Sequence, residues 1–149
     1  MPEFAISAQN QHIVLTVPVS SNETAIITAS GGYLSTTATV TVDAPNLTGL
    51  TMNPVLVVGG SKMAVTGTLS FSGPAPAAGI QVTLASQYPN AATVPTTVTA
   101  KPTANNLNVS FTVNHYLVKT AVSDVIYAKD QYQNYYQVRI PLQSDQVSA

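Results

Sequence analysis

Along most of this chain apolar and polar residues alternate one by one, and the spacing of an amphipathic helix is nearly absent. On that pattern residues 12–19, 24–30 and 36–42 read as strands, followed by 56–60, 63–73, 80–86, 96–100, 108–114, 124–129 and 136–142. These runs are rich in Val, Thr and Ile, the residues that a pleated, half-buried surface favours. Turn signals recur about every ten residues: Gly31-Gly32, Gly59-Gly60, Pro74 to Pro76, Tyr88-Pro89-Asn90, Asn105-Asn106 and Asn134. Short strands at that interval predict an all-β chain folded as an antiparallel sandwich.

One stretch, "LSFSGPAPAAGIQVTLAS" at 69–86, sets two strands either side of a knot of Gly and Pro. Pro74 and Pro76 fix φ and lack amide donors, so the knot cannot join a ladder. Gly73 and Gly79 let the chain enter and leave it in backbone shapes that other residues resist. The expected role is a stiff corner carrying the chain from one sheet to the other.

The pattern also repeats. "LTV" at 15–17 resembles "FTV" at 111–113, an offset of 96, and "ITASGGY" at 27–33 resembles "IYAKDQY" at 126–132, an offset of 99. Ala38, Val40 and Val42 then match Val138, Ile140 and Leu142 at an offset of 100. The segment 12–42 therefore reads as the last three strands of a repeat whose complete copy spans 46–142. The expected organisation is a partial module at 1–45, a complete module at 46–143 and a tail at 144–149.

"VVGGSKMAVTGTLSFSGPAPAAGIQVTLASQYPNAATVPTTVTA" resembles the bacterial immunoglobulin-like (Big-type) repeats of surface and secreted proteins, in its Gly-Gly entry, its "GTLSFSGPAPAAG" corner and its "PNAATVP" turn. The resemblance covers 46–142 well and 12–45 in part. It implies an immunoglobulin-like antiparallel β-sandwich in an extracellular setting, serving as spacer, adhesive module or assembly unit. It implies no activity and supplies no catalytic residues. The partial module departs from it in lacking opening strands. Three strands with one apolar face cannot close a sandwich, and unpaired edges are templates for further strands. Either upstream sequence or a second chain is expected to complete it, the latter by donor-strand assembly. The expected pairing strand is His12, Ile13, Val14, Leu15, Thr16 and Val17.

Composition narrows the function classes. Hydrophobic residues make up 45% of the 149, enough for a packed core, whereas charged residues make up only 7%. Thr, Ser, Asn and Gln must coat the surface instead, as on secreted and cell-surface β proteins. The five basic residues, Lys62, Lys101, Lys119, Lys129 and Arg139, are scattered, and the net charge is −1, so nucleic acid is not an expected partner. There is no cysteine for disulfides, thiol catalysis or metal, and no apolar run of the ~20 residues that a membrane helix needs. "MPEFAISAQN" lacks the basic and apolar regions of a signal peptide, so an exported protein is expected to have lost its leader or to be longer than this chain.

Candidate chemistry is sparse. His12 and His115 lack a Gly-x-Ser-x-Gly elbow to partner them, and Glu3, Glu23, Asp43, Asp124, Asp130 and Asp145 show no glycosidase pairing. No enzyme, cofactor or metal is expected. "KDQYQN" at 129–134 offers two oxygen ligands where calcium wants six or more, and reads as a polar hairpin turn. Tyr127, Tyr132, Tyr135 and Tyr136 crowd the last hairpin beside amide side chains, either to stack on a glycan or protein partner or to pack across strands. Sequons stand at Asn22, Asn46 and Asn108, close to the number that chance gives in so Ser/Thr-rich a chain. The expectation is a non-catalytic extracellular filament or surface subunit that pairs strands with itself or with neighbouring repeats. The alternatives are a binding module, a spacer repeat and a decoration module on a virus particle.

Overall fold

A computed structural model describes residues 15–102 and 107–144. Every regular element among them is a strand. β1 (Glu23–Gly31) and β2 (Leu34–Val42) form an antiparallel hairpin that pairs with no other strand among the described residues. β3 (Leu47–Asn53), β5 (Val65–Phe71), β9 (Asn108–His115) and the two-residue β7 (Ala92–Thr93) form one sheet, in the order β3-β5-β9-β7. β4 (Val57–Val58), β6 (Ile80–Ser86), β8 (Thr97–Ala100), β10 (Val122–Asp130) and β11 (Tyr135–Gln143) form the other, in the order β4-β11-β10-β6-β8. All neighbours are antiparallel except β4 and β11. This is the strand order of an immunoglobulin-like sandwich, with β3-β5-β9-β7 as its A-B-E-D sheet and β11-β10-β6 as its G-F-C sheet.

Alternation decides which side chains fill the space between the sheets. Val65, Leu69 and Phe71 of β5 face Ile80, Val82 and Leu84 of β6 across the core, joined by Ile126, Ile140 and Leu142 from the last hairpin. Gly67 occupies an inward position of β5 because the Phe111 ring lies over it; a Cβ there would sit 2.2 Å from the ring's Cζ. The Gly-Pro knot does carry the chain between sheets, since β5 and β6 belong to opposite layers. Gly79 closes the corner at φ +79°, with its N–H on the Pro76 carbonyl at 2.8 Å.

Three elements differ from the sequence pattern. β3 was not expected as a strand: Leu47, Leu50 and Met52 are its buried residues, and the register shift between Leu47 and Gly49 breaks their alternation. β7 lies inside the "PNAATVP" turn at 89–95 and is long enough only to brace β9. Of the strand expected at 12–19, residues 12–14 lie outside the described residues, and 15–19 join no ladder. The described part of the amino-terminal segment is therefore a two-stranded hairpin.

The sandwich has two poles. At the leading pole the chain enters β3, beside the knot at 72–79 and the β10–β11 turn. At the trailing pole lie the loops 54–64, 87–91 and 116–121, and there the chain leaves β11 beside β4.

Candidate assembly surfaces

The two long hairpins share one register. Glu23 lies opposite Val42 and Gly31 opposite Leu34; Val122 lies opposite Leu142, and the Asp130 N–H reaches the Asn134 carbonyl at 3.0 Å. The repeat is thus structural: β1 maps on β10 at an offset of 99, and β2 on β11 at 100. The faces map as well. Ala25, Ile27, Ala29, Ala38, Val40 and Val42 share one side of β1–β2, and the opposite side is mostly Thr and Ser. In the sandwich the positions of Ile27, Val40 and Val42 hold Ile126, Ile140 and Leu142, which are at most 1% exposed. In the hairpin Ile27 is 37% exposed and Val40 and Val42 are only half-buried. Leu15, Val17 and Val19 line a cleft of about 260 Å³ over this face, together with Ile27 and Val40.

The hairpin meets the leading pole of the sandwich through its own trailing end. The Tyr132 hydroxyl, in the β10–β11 turn, donates to the Ser20 carbonyl at 2.7 Å. The Asn22 side chain takes the Ala44 N–H at 2.8 Å and so ties the two strands of the linker. Two clefts flank this contact. One of about 400 Å³ sets Val17 and Pro18 against Pro45 and Pro74; the other, about 550 Å³, lies between Asn22, Asp43 and Tyr132.

Asp130, the centre of the "KDQYQN" turn, is 3% exposed and accepts from the N–H groups of Leu47, Tyr132 and Asn134 and from the Asn134 side-chain amide, at 2.8–2.9 Å. Its carboxylate locks the turn to the first residue of β3. Asp124, fully buried, accepts from the Ser86 hydroxyl at 2.6 Å and from the Tyr88 and Val125 N–H groups at 2.9 and 2.7 Å. Both roles were missed in the sequence, although Asp124 sits in phase with the inward Ile126 and Ala128, which is the signal for a buried, fully bonded carboxylate.

The four tyrosines do not share one surface. Tyr127 and Tyr135 stack on the outer side of the sheet, centroids 5.7 Å apart and planes at 29°. Lost solvation first, and Tyr127 second, hold the Tyr135 phenol above its ordinary 10.0. Tyr136 falls on the inward side with Val138, and Tyr132 belongs to the junction. Of the sequons, Asn46 is half-buried, its side chain bonded to Ser72 and the Leu47 carbonyl. Asn22 and Asn108 are exposed, and their side-chain oxygens accept from the Ala44 N–H and the Ser70 hydroxyl respectively. His115 Nε2 is 2.7 Å from the Met63 carbonyl and must carry the proton of that bond, while its Nδ1 is buried with no partner among the described residues. His12 lies outside the described residues, as do Ile13 and Val14; Leu15, Thr16 and Val17 are exposed. Among the described residues no group of three or more His, Cys, Asp or Glu side chains is placed to hold a metal, and no helix is long and apolar enough to cross a membrane.

No family model matches the chain, and no curated protein matches it. Among solved structures it is similar to domains 4 and 5 of the S-layer protein SbsC, at 22% identity and a TM-score of 0.42, over 82% of this chain and 57% of that one. The chain thus spans less than two thirds of that structure, and a likeness so distant carries no argument about function.

Proposed function

We propose that this chain is a non-catalytic structural segment of an extracellular array of Big-type immunoglobulin-like modules, one module complete and the one before it represented by its last hairpin. The observation that carries this reading is the match of Ile27, Ala29, Ala38, Val40 and Val42 on one face of β1–β2 with Ile126, Ala128, Val138, Ile140 and Leu142 on the inward face of β10–β11. A face of Ile, Val and Ala left in water forgoes about 25 cal/mol for each Å² it could bury. Strands equivalent to β4, β6 and the β3-β5-β9 sheet cover it in the working protein. The charge-poor coat of Thr, Ser, Asn and Gln supports an extracellular setting.

Hydrogen–deuterium exchange read with light scattering tests this. In dilute monomers the β1–β2 amides exchange at least a hundredfold faster than those of β5, β9 and β10, because a lone hairpin is marginal in water. If concentrating the chain yields regular fibres with a protected hairpin, neighbouring chains supply the missing strands. If it stays monomeric and the hairpin stays fast, they come from the same polypeptide. A monomer whose hairpin is as protected as the sandwich overturns the reading.

A further inference from the structure

The junction inside this chain also describes a contact that the turn of its hairpin and the trailing pole of its sandwich are shaped to make. Resting on the array reading, the offset of 99 that relates β1 to β10, carried back through the linker as far as Pro18, sets 18–22 on 117–121, so that Ser20 maps on Lys119 and Val19 on Val118; the step from the offset of 96 at 15–17 then falls directly before Pro18. Residues 18–20 are the part of the hairpin unit that meets the leading pole of the sandwich. Residues 117–119 occupy the same place on the sandwich, at its trailing pole. Carried the other way, Tyr132 maps on Tyr33, in the turn between β1 and β2.

Both ends are prepared for such a contact. At the trailing pole Val55, Leu56, Met63, Tyr88 and Leu117 are exposed to between 47% and 66%, a concentration of apolar surface on one end. The loops there are held in place. Gly59 and Gly60 lie against Tyr116 and Leu117 so closely that a Cβ on Gly59 would be 2.6 Å from the Tyr116 carbonyl. The Tyr116 N–H bonds the Ala91 carbonyl at 2.8 Å, and its hydroxyl shares a hydrogen bond with Thr93 at 3.0 Å. Between the loops 87–91 and 117–123 lies an open cleft of about 890 Å³. At the other end of the chain Tyr33 is fully exposed and Leu34 is 81% exposed, projecting from a tight turn with Gly32 at φ +61°.

We infer that the trailing pole of the sandwich is a docking face for the Gly31–Leu34 turn of a second copy of this chain, with the Tyr33 hydroxyl donating to the Lys119 carbonyl as Tyr132 donates to Ser20. The two surfaces are different and lie at opposite ends. The contact is therefore heterologous and propagates head to tail instead of closing a ring of two.

The chain has no cysteine, so pairs can be placed without background. A Ser35→Cys chain, which keeps the Tyr33 hydroxyl, is mixed with a Lys119→Cys chain under a short bismaleimide; both sites are exposed, and melting curves check the fold. A Ser35→Cys chain mixed with Thr51→Cys, on the outer side of β3, gives the random rate. Within one chain, Ser20→Cys with Gln133→Cys, which keeps the Tyr132 hydroxyl and the Ser20 carbonyl, reports the internal junction. The expected result is about tenfold more 35–119 dimer than 35–51 dimer, the increment of one hydrogen bond and some apolar contact. If the internal link forms but 35–119 does not exceed the random rate, the docking inference is wrong and the array reading stands. If the internal link fails too, the junction and the array reading fall together.

Discussion

At the scale of single residues the sandwich depends on a few positions with no substitute. Asp130 collects four hydrogen bonds in a site from which water is excluded, and three of its donors are backbone amides that no other side chain reaches. Removing the carboxylate leaves those donors unpaired, so Asp130→Ala should cost about 3 kcal/mol in urea unfolding. Asp130→Asn should cost less, because one amide oxygen still accepts while its NH₂ group faces other donors. Gly67 poses the opposite problem, since even a methyl group meets the Phe111 ring. Gly67→Ala should lose about 2 kcal/mol by overpacking, and pairing it with Phe111→Leu should recover part of that loss. A Gly67→Ala protein of unchanged urea midpoint would mean that the ring moves aside at no cost.

At the scale of elements, two hairpins of matching pattern have opposite fates, and substitutions at matched positions expose the difference. Ile140→Ala removes a side chain 1% exposed from the core and should cost 2–5 kcal/mol, whereas Val40→Ala at the corresponding place in β2 should stay within about 0.5 kcal/mol. Equal losses in the isolated chain would show that the β1–β2 face is already covered. Sequence alone carried most of this level. Alternation placed β1, β2, β5, β6, β9, β10 and β11, and the 99–100 offset anticipated the shared hairpin register. What it could not carry follows from physics. The bulge in β3 puts Leu47, Leu50 and Met52 out of period two, and β7 is too short to have a period. The tyrosines are close in sequence, but strand alternation and a turn send them to three different surroundings. Likewise the junction depends on a backbone carbonyl, Ser20, and a side-chain pattern holds no signal for a carbonyl.

At the scale of the whole molecule, stiffness is distributed unevenly. The sandwich closes on itself: its first strand is anchored by Asp130 from its own β10, and no strand of β1–β2 pairs into it. Among the described residues, what joins the two parts is the connecting chain between β2 and β3, one exposed hydrogen bond from Tyr132 and the contacts around two open clefts. An exposed hydrogen bond contributes at most about 1 kcal/mol, and the hairpin buries too little to add much more. A chain beginning at Pro45 should therefore fold to the same sandwich, with a melting temperature within about 5 °C of the longer chain and a urea m-value only slightly lower. A drop well beyond that would mean that the hairpin is part of the cooperative unit, and that the apolar face of β1–β2 is held against something inside this chain. With the expected outcome, force along an array would be taken up first at such joints, by turning of one module against the next, before any β ladder yields. A soft joint between stiff units lets an extended surface assembly bend without unfolding.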